Sequence, residues 1–146
     1  MYKYEYPRPM VTTDIVVFNK KENDVFILLI KRKNEPFKDK WALPGGFVDE
    51  YEPLIHAAQR ELEEETGLRI FDLSQFFAYG DPGRDPRGHT ISVVYTAIIE
   101  DETPVANAGD DAKEAKWFNI KKLPELAFDH RIIVKDAVND CLNKEL

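Results

Sequence analysis

The chain has a single cysteine, Cys141. No disulfide can close within it, and the expected setting is a reducing cytoplasm. No apolar run reaches the roughly 18 residues that a membrane-crossing helix needs. The first ten residues, MYKYEYPRPM, lack the apolar core of a signal peptide. Basic charge is scarce as well: 20 Lys and Arg stand against 27 Asp and Glu, for a net charge of −7. That balance argues against a nucleic-acid partner, which needs cations against its phosphates. Repeats and low-complexity segments are also missing. What remains is one domain, residues 1–146, with 43% hydrophobic residues, enough for a core.

What is abundant is acid, and it is concentrated in Gly46 to Leu68, GFVDEYEPLIHAAQRELEEETGL. Pro53 reads as the first helical position, where its missing N–H costs nothing. Glu52 falls at or near the cap, where the helix dipole favours negative charge. Gly67 reads as the stop, because glycine takes the left-handed conformation without strain. Between them, Leu54, Ile55, Ala58 and Leu62 share one apolar stripe. Glu61 and Glu65 flank it at i and i+4, with Glu64 one step round. Like charges at this spacing repel, so something positive is expected among them. Clustered carboxylate oxygens suit Mg²⁺ or Mn²⁺. The bland alternative, a solvated acidic face, does not ask for Gly46, Glu52, Arg60 and Gly67 at their spacings.

Those spacings carry a resemblance. Gly46, five residues, Glu52, seven residues, then Arg60-Glu61-Leu62, Glu64-Glu65 and Gly67-Leu68 match every fixed position of the Nudix hydrolase signature. The resemblance implies an α+β fold, an α-β-α sandwich with a mixed sheet and a loop-helix-loop catalytic motif. It also implies that Glu61, Glu64 and Glu65 bind metal, with the carbonyl of Gly45 as a further oxygen. Arg60 cannot bind a cation, and its expected role is to pair with Glu52 and position the neighbouring carboxylates. The general base stays open among Glu64, Glu61, Asp110, Asp111 and Glu114.

The rest of the chain is consistent with that fold. Tyr2, Tyr4 and Tyr6 alternate with polar residues and suggest an edge strand packed on the domain, or an arm serving a dimer or base stacking. Residues 11–19 and 25–30 are strongly β and are joined by a polar turn at 20–24, which reads as a hairpin. Gly45-Gly46 reads as a tight pair allowing close backbone approach. Residues 68–78 read as a long strand, irregular near 72–74. Glycines and prolines make 80–89 a loop. Residues 90–100 read as a strand, 101–113 as an acidic loop, 114–120 as a short strand, and 127 or 129 to about 143 as a final helix.

Substrate choice is sought outside the signature. Pro82, 15 positions after Gly67, and the run GRDPRG resemble the ADP-ribose pyrophosphatase subgroup and the Nudix parts of proteins of NAD metabolism. Arg84 and Arg87 can make bidentate contacts to phosphate, with Arg32 as a second such candidate. Phe37 and Trp41 could stack on adenine, though Trp41 suits the core equally well. His89 reads as structural. The resemblance thus implies metal-dependent cleavage of a nucleotide-sugar substrate, ADP-ribose giving AMP and ribose 5-phosphate. Two alternatives stand beside it: an oxidised nucleoside triphosphate as substrate, and a non-catalytic ligand sensor of NAD or sugar metabolism.

Overall fold

The computed structural model describes residues 1–100, 102–109 and 112–144. Seven strands and two helices follow in the order β1 (Met10–Lys21), β2 (Asp24–Arg32), β3 (Trp41–Ala42), β4 (Gly45–Phe47), α1 (Leu54–Thr66), β5 (Ser74–Tyr79), β6 (Thr90–Glu100), β7 (Ala112–Asn119) and α2 (His130–Leu142). The sheet is mixed. β1 runs parallel to β6 from Met10↔Thr90 to Lys20↔Glu100, and the other pairings are antiparallel. No helix among the described residues is long and apolar enough to cross a membrane.

Alternation along β1 divides the core in two. Ile15 and Val17 face one side and pack with Ala58 and Leu62 of α1. Val16 and Phe18 face the other and pack with Ile133, Val134, Ala137 and Val138 of α2. The result is helix, sheet, helix: the α-β-α sandwich expected from the sequence. Leu62, fully buried, contributes on the order of 1.5–3 kcal/mol through removal of its side chain from water.

One detail of register makes the site. β1 and β2 pair only from Phe18↔Ile27 to Lys21↔Asp24 and then part. β4 takes the vacated edge of β1, from Thr12↔Phe47 to Asp14↔Gly45. β7 takes the edge of β2 opposite β1, and β3 pairs with Ile30 and Lys31 on the other edge, beyond the stretch that β1 holds. The cleft described below opens where β1 and β2 diverge. A register shift between Lys31 and Arg32 falls at its edge, where such irregularities re-aim side chains.

Several expectations are corrected. Residues 1–9 form no strand; Pro7 and Pro9 interrupt any ladder, and Tyr2, Tyr4 and Tyr6 are exposed. The hairpin turn is shorter than 20–24, since Lys20, Lys21 and Asp24 are all paired. Residues 68–73 are not strand either. Leu68, Ile70 and Leu73 anchor this segment to the α1 side of the core, a spacing that breaks the period of two. Gly45-Gly46 is a strand rather than a tight turn. Pro53 caps α1 instead of opening it, while Gly67 ends it at φ 78°, as expected. The last strand starts at Ala112 rather than 114. Asp110 and Asp111 lie outside the described residues.

Candidate active site

β4 lies between β1 and α1, and its two glycines are dictated by what they touch. A Cβ on Gly45 would come within 2.3 Å of Asp14 Oδ1 and of the Thr13 carbonyl oxygen. A Cβ on Gly46 would come within 2.6 Å of the Glu61 carboxyl group. Gly45 N–H also donates to Glu65 Oε1 at 2.7 Å. Gly45 therefore meets the acidic helix through its N–H. The contact also fixes Glu65, which is buried although it is a carboxylate.

Arg60 stands among the acids. Its Nε and Nη2 donate to the two carboxylate oxygens of Glu52 at 2.8 and 2.9 Å, a bidentate pair. Nη1 donates to Glu61 at 2.8 Å and to Glu64 at 3.2 Å, and Nη2 also donates to the Phe47 carbonyl at 3.1 Å. Asp49 lies 3.5 Å away. The Glu52 hydrogen bonds foremost raise the pKa of Arg60, and the same contact holds Glu52 below the usual carboxylate range. The expected brace between Arg60 and Glu52 is therefore present.

The cleft has two connected chambers. The outer one, about 420 Å³, is lined by Arg32, Gly45, Gly46, Arg60, Glu61, Glu64, Glu65 and Arg87 among others. All three signature glutamates face this one space. Among the described residues, no three acidic or imidazole groups stand together as a ready-made metal cage. Glu61 and Glu64 are turned to Arg60. The donor chemistry nevertheless fits a divalent metal: three carboxylates on adjacent turns of one helix, two of them buried, offer hard oxygens to a cation.

The inner chamber, about 80 Å³, goes deeper between β1, β6 and α2. Its polar lining includes Thr12, Asp14, Ser92, Arg84, Asp85 and His130. Arg84 is almost fully buried and forks onto both carboxylate oxygens of Asp129 at 2.8 Å, while Nη1 reaches Ser92 Oγ at 2.9 Å. His130 Nδ1 accepts the Leu43 N–H at 3.0 Å. Its proton is therefore on Nε2, 4.0 Å from Asp14 Oδ2. Burial pushes the Asp14 carboxyl up and the His130 imidazole down, each moderated by the other's charge.

Arg87 stands at the junction and lines both chambers. Asp85 accepts from its Nη2 at 2.9 Å and from its backbone N–H at 2.9 Å. Burial opposes charge on Asp85, but these donors outweigh it and its pKa is lowered. The Arg87 guanidinium lies 4.7 Å from the Phe47 ring and 5.3 Å from the Phe128 ring. Arg32 lies 5.0 Å from Phe128 and donates to the Pro36 carbonyl at 2.7 Å. Burial first, and the nearby charge of Arg87 second, lower its pKa. Arg32 and Arg87 beside the same Phe128 ring form a natural anion site.

Other candidates are not brought to the cleft. Trp41 packs edge-on against Phe118 at 4.7 Å, on the α2 side of the core. Phe37 packs against Phe128 at 4.7 Å and lines neither chamber. Glu114 is exposed on β7 and pairs with Lys31 at 3.5 Å. His89 is structural as expected, its Nε2 lying 2.7 Å from the Gly80 carbonyl across the loop. The sequence reading did not single out Asp14, Phe47, Asp85, Ser92, Phe128, Asp129 or His130. A lone aspartate beside two threonines inside an apolar strand, VTTDIVVF, was the available signal for Asp14.

Comparison with known proteins comes to the same place. A family model described as the NUDIX domain matches residues 8–137. The chain is 50% identical over 131 residues to an ADP-ribose pyrophosphatase of Methanocaldococcus jannaschii, covering 90% of this chain and 74% of that protein. It is 36% identical over 146 residues to an ADPR responsive transcriptional repressor of Acinetobacter baylyi, covering 97% of this chain but only 58% of the repressor. Among solved structures, the NUDIX domain of Shewanella oneidensis NrtR in complex with ADP ribose superposes with a TM-score of 0.87 at 30% identity, covering 93% of this chain and 90% of that one.

Proposed function

Since the chain belongs to the NUDIX family, we propose that it hydrolyses ADP-ribose to AMP and ribose 5-phosphate with the help of Mg²⁺ or Mn²⁺. The observation that carries this reading is one continuous cleft. The signature carboxylates line its outer chamber, Arg32 and Arg87 line both chambers and lie over the Phe128 ring, and a polar chamber lies beyond. A diphosphate linking two sugars fits that sequence of environments. The 50% identical pyrophosphatase supports the same substrate.

Each residue then has a task. Glu61, Glu64 and Glu65 would hold the cation, which when bound would supply positive charge for the diphosphate oxygens and for a water. Gly45 N–H keeps Glu65 in place, and Arg60, anchored by Glu52, orients Glu61 and Glu64. Arg87 and Arg32 receive the diphosphate. Arg84 is committed to Asp129 and Ser92, so it would act on the substrate as a wall of the inner chamber more than as a free fork. Glu64 is the most exposed of the three signature glutamates and is the group proposed to take the water's proton. Water adds to one phosphorus, the bridging P–O bond breaks, and the oxygen leaves on the other phosphate.

The test is a turnover screen over ADP-ribose, NADH, dinucleoside polyphosphates and oxidised nucleoside triphosphates, with and without Mg²⁺. Turnover of a triphosphate with none of ADP-ribose would overturn the assignment. The similarity to the Acinetobacter repressor favours a second reading, an ADP-ribose sensor. That reading requires binding without hydrolysis at saturating metal, and the same screen decides it.

A further inference from the structure

The inner chamber has a chemistry that metal-assisted cleavage does not require. Building on the proposed reading of the substrate as a diphosphate joined to a second group, we propose that this chamber is a sugar-hydroxyl subsite. In it Asp14 accepts a hydrogen bond from a hydroxyl of that second group, and His130 Nε2–H donates one to it.

The arrangement selects for a group that both donates and accepts. His130 is fixed as the Nε2–H tautomer by Leu43 N–H on its other nitrogen. His130 and Asp14 both line the chamber, and His130 Nε2 and Asp14 Oδ2 stand 4.0 Å apart, beyond direct hydrogen-bond range. A hydroxyl has one proton to give and lone pairs to receive, so it can serve both. A phosphate oxygen has no proton to give to a carboxylate. Of the chamber's three arginines, Arg32 and Arg87 also line the outer chamber, where the diphosphate is placed, and Arg84 does not. Arg84 is held on Asp129, and Arg87 is held on Asp85.

Ser92 completes the pattern. Its oxygen accepts from Arg84 Nη1 at 2.9 Å and lies 2.6 Å from Thr12 Oγ1. Its hydroxyl also reaches Asp14. This buried network ties the Asp14 carboxylate to β6 and, through Arg84, to Asp129 next to α2. The chamber is narrow as well. About 80 Å³ admits a few water-sized groups, such as the hydroxylated edge of a furanose. Gly45 is what leaves it open, since a Cβ there would collide with Asp14 Oδ1 at 2.3 Å.

The experiment is calorimetric binding to the full chain in EDTA, so that turnover plays no part. The ligands are ADP-ribose, ADP, and an ADP ester whose second group is a cyclopentylmethyl ring without hydroxyls. The wild-type protein is expected to bind ADP-ribose at least about tenfold tighter than either of the others, the yield of a hydrogen bond to a charged group. Asp14→Asn is expected to bring the three within about threefold by weakening ADP-ribose alone. Equal wild-type affinity for ADP-ribose and the hydroxyl-free ester would overturn the subsite, whatever the folding of the variant. So would an Asp14→Asn variant that weakens all three ligands alike. Hydroxyl preference without any turnover sinks only the proposed hydrolysis. Turnover of ADP-ribose without hydroxyl preference sinks only the subsite.

Discussion

Gly46 sits directly against the carboxyl group of Glu61, so that a Cβ added at Gly46 would come within 2.6 Å of all three of its carboxyl atoms. The strand and the acidic helix are thereby in contact through a missing side chain. Gly46→Ala is expected to push Glu61 out of the outer chamber while leaving the sheet register intact. Metal-dependent turnover should fall about 10–100-fold, the usual cost of disturbing the groups that orient metal ligands. A Mg²⁺ titration of kcat is the check. A variant that saturates at the wild-type Mg²⁺ concentration, with wild-type kcat, would contradict it.

Glu65→Gln tests the metal site at the residue that Gly45 N–H holds in place. Glutamine keeps an oxygen for that N–H, so the fold should survive while turnover drops at least about a hundredfold. Saturating Mg²⁺ should also stabilise the wild type. At a hundredfold excess over Kd the gain is about 2.7 kcal/mol, or roughly 5–10 °C in Tm. Glu65→Gln should lose most of that shift. Thermal melts with Mg²⁺ and with EDTA measure it, and equal shifts in both proteins would rule out Glu65 as a ligand.

The legibility of this site in the sequence followed chain distance. The signature acids lie within one helical stretch, so periodicity and spacing put Glu61, Glu64, Glu65 and Arg60 on one helix, where the structure has them. The glycine pair was noticed, but not that it is a strand, because the contact excluding a Cβ comes from Asp14 and Glu61, on other elements. Asp14, Asp85, Phe128 and His130 meet only through the fold, and each looks ordinary in its own neighbourhood. Trp41 and Phe37 are aromatic residues in the right part of the chain, yet the aromatic walls come from Phe47 and Phe128 instead. Aromatic composition says nothing about which ring turns inward. The strand read over 68–78 failed for a related reason, since Leu68 and Leu73 are buried as tertiary anchors, not as alternating ladder positions.

Arg87→Lys separates charge from geometry at the junction of the chambers. Lysine keeps the positive charge but loses the fork on Asp85 and the stacking between Phe47 and Phe128. KM for ADP-ribose is expected to rise about tenfold with kcat changed by less than about threefold, the pattern of lost ground-state binding. Steady-state kinetics at saturating Mg²⁺ decide the matter. A fall in kcat at unchanged KM would place Arg87 in the transition state and not in binding.

His130 gives the fold a pH dependence of known sign. It is buried, and burial holds its pKa below the ordinary value of about 6.5. Below that pH the unfolded chain takes up a proton that the folded chain refuses, so stability falls as pH drops through about 6.5. The slope approaches about 1.4 kcal/mol per pH unit. Asp14 works in the opposite sense. Burial raises its folded pKa, so its contribution is present at low pH and is lost as pH rises through that folded value. The charges of Asp129, Arg84 and Arg32 also act on the imidazole. Melting temperatures at pH 7.5, 6.5 and 5.5 should therefore decline less for His130→Gln than for the wild type. If His130→Gln kept the wild-type slope, the acid sensitivity would have to come from other groups, and the neutral imidazole assigned here would be wrong.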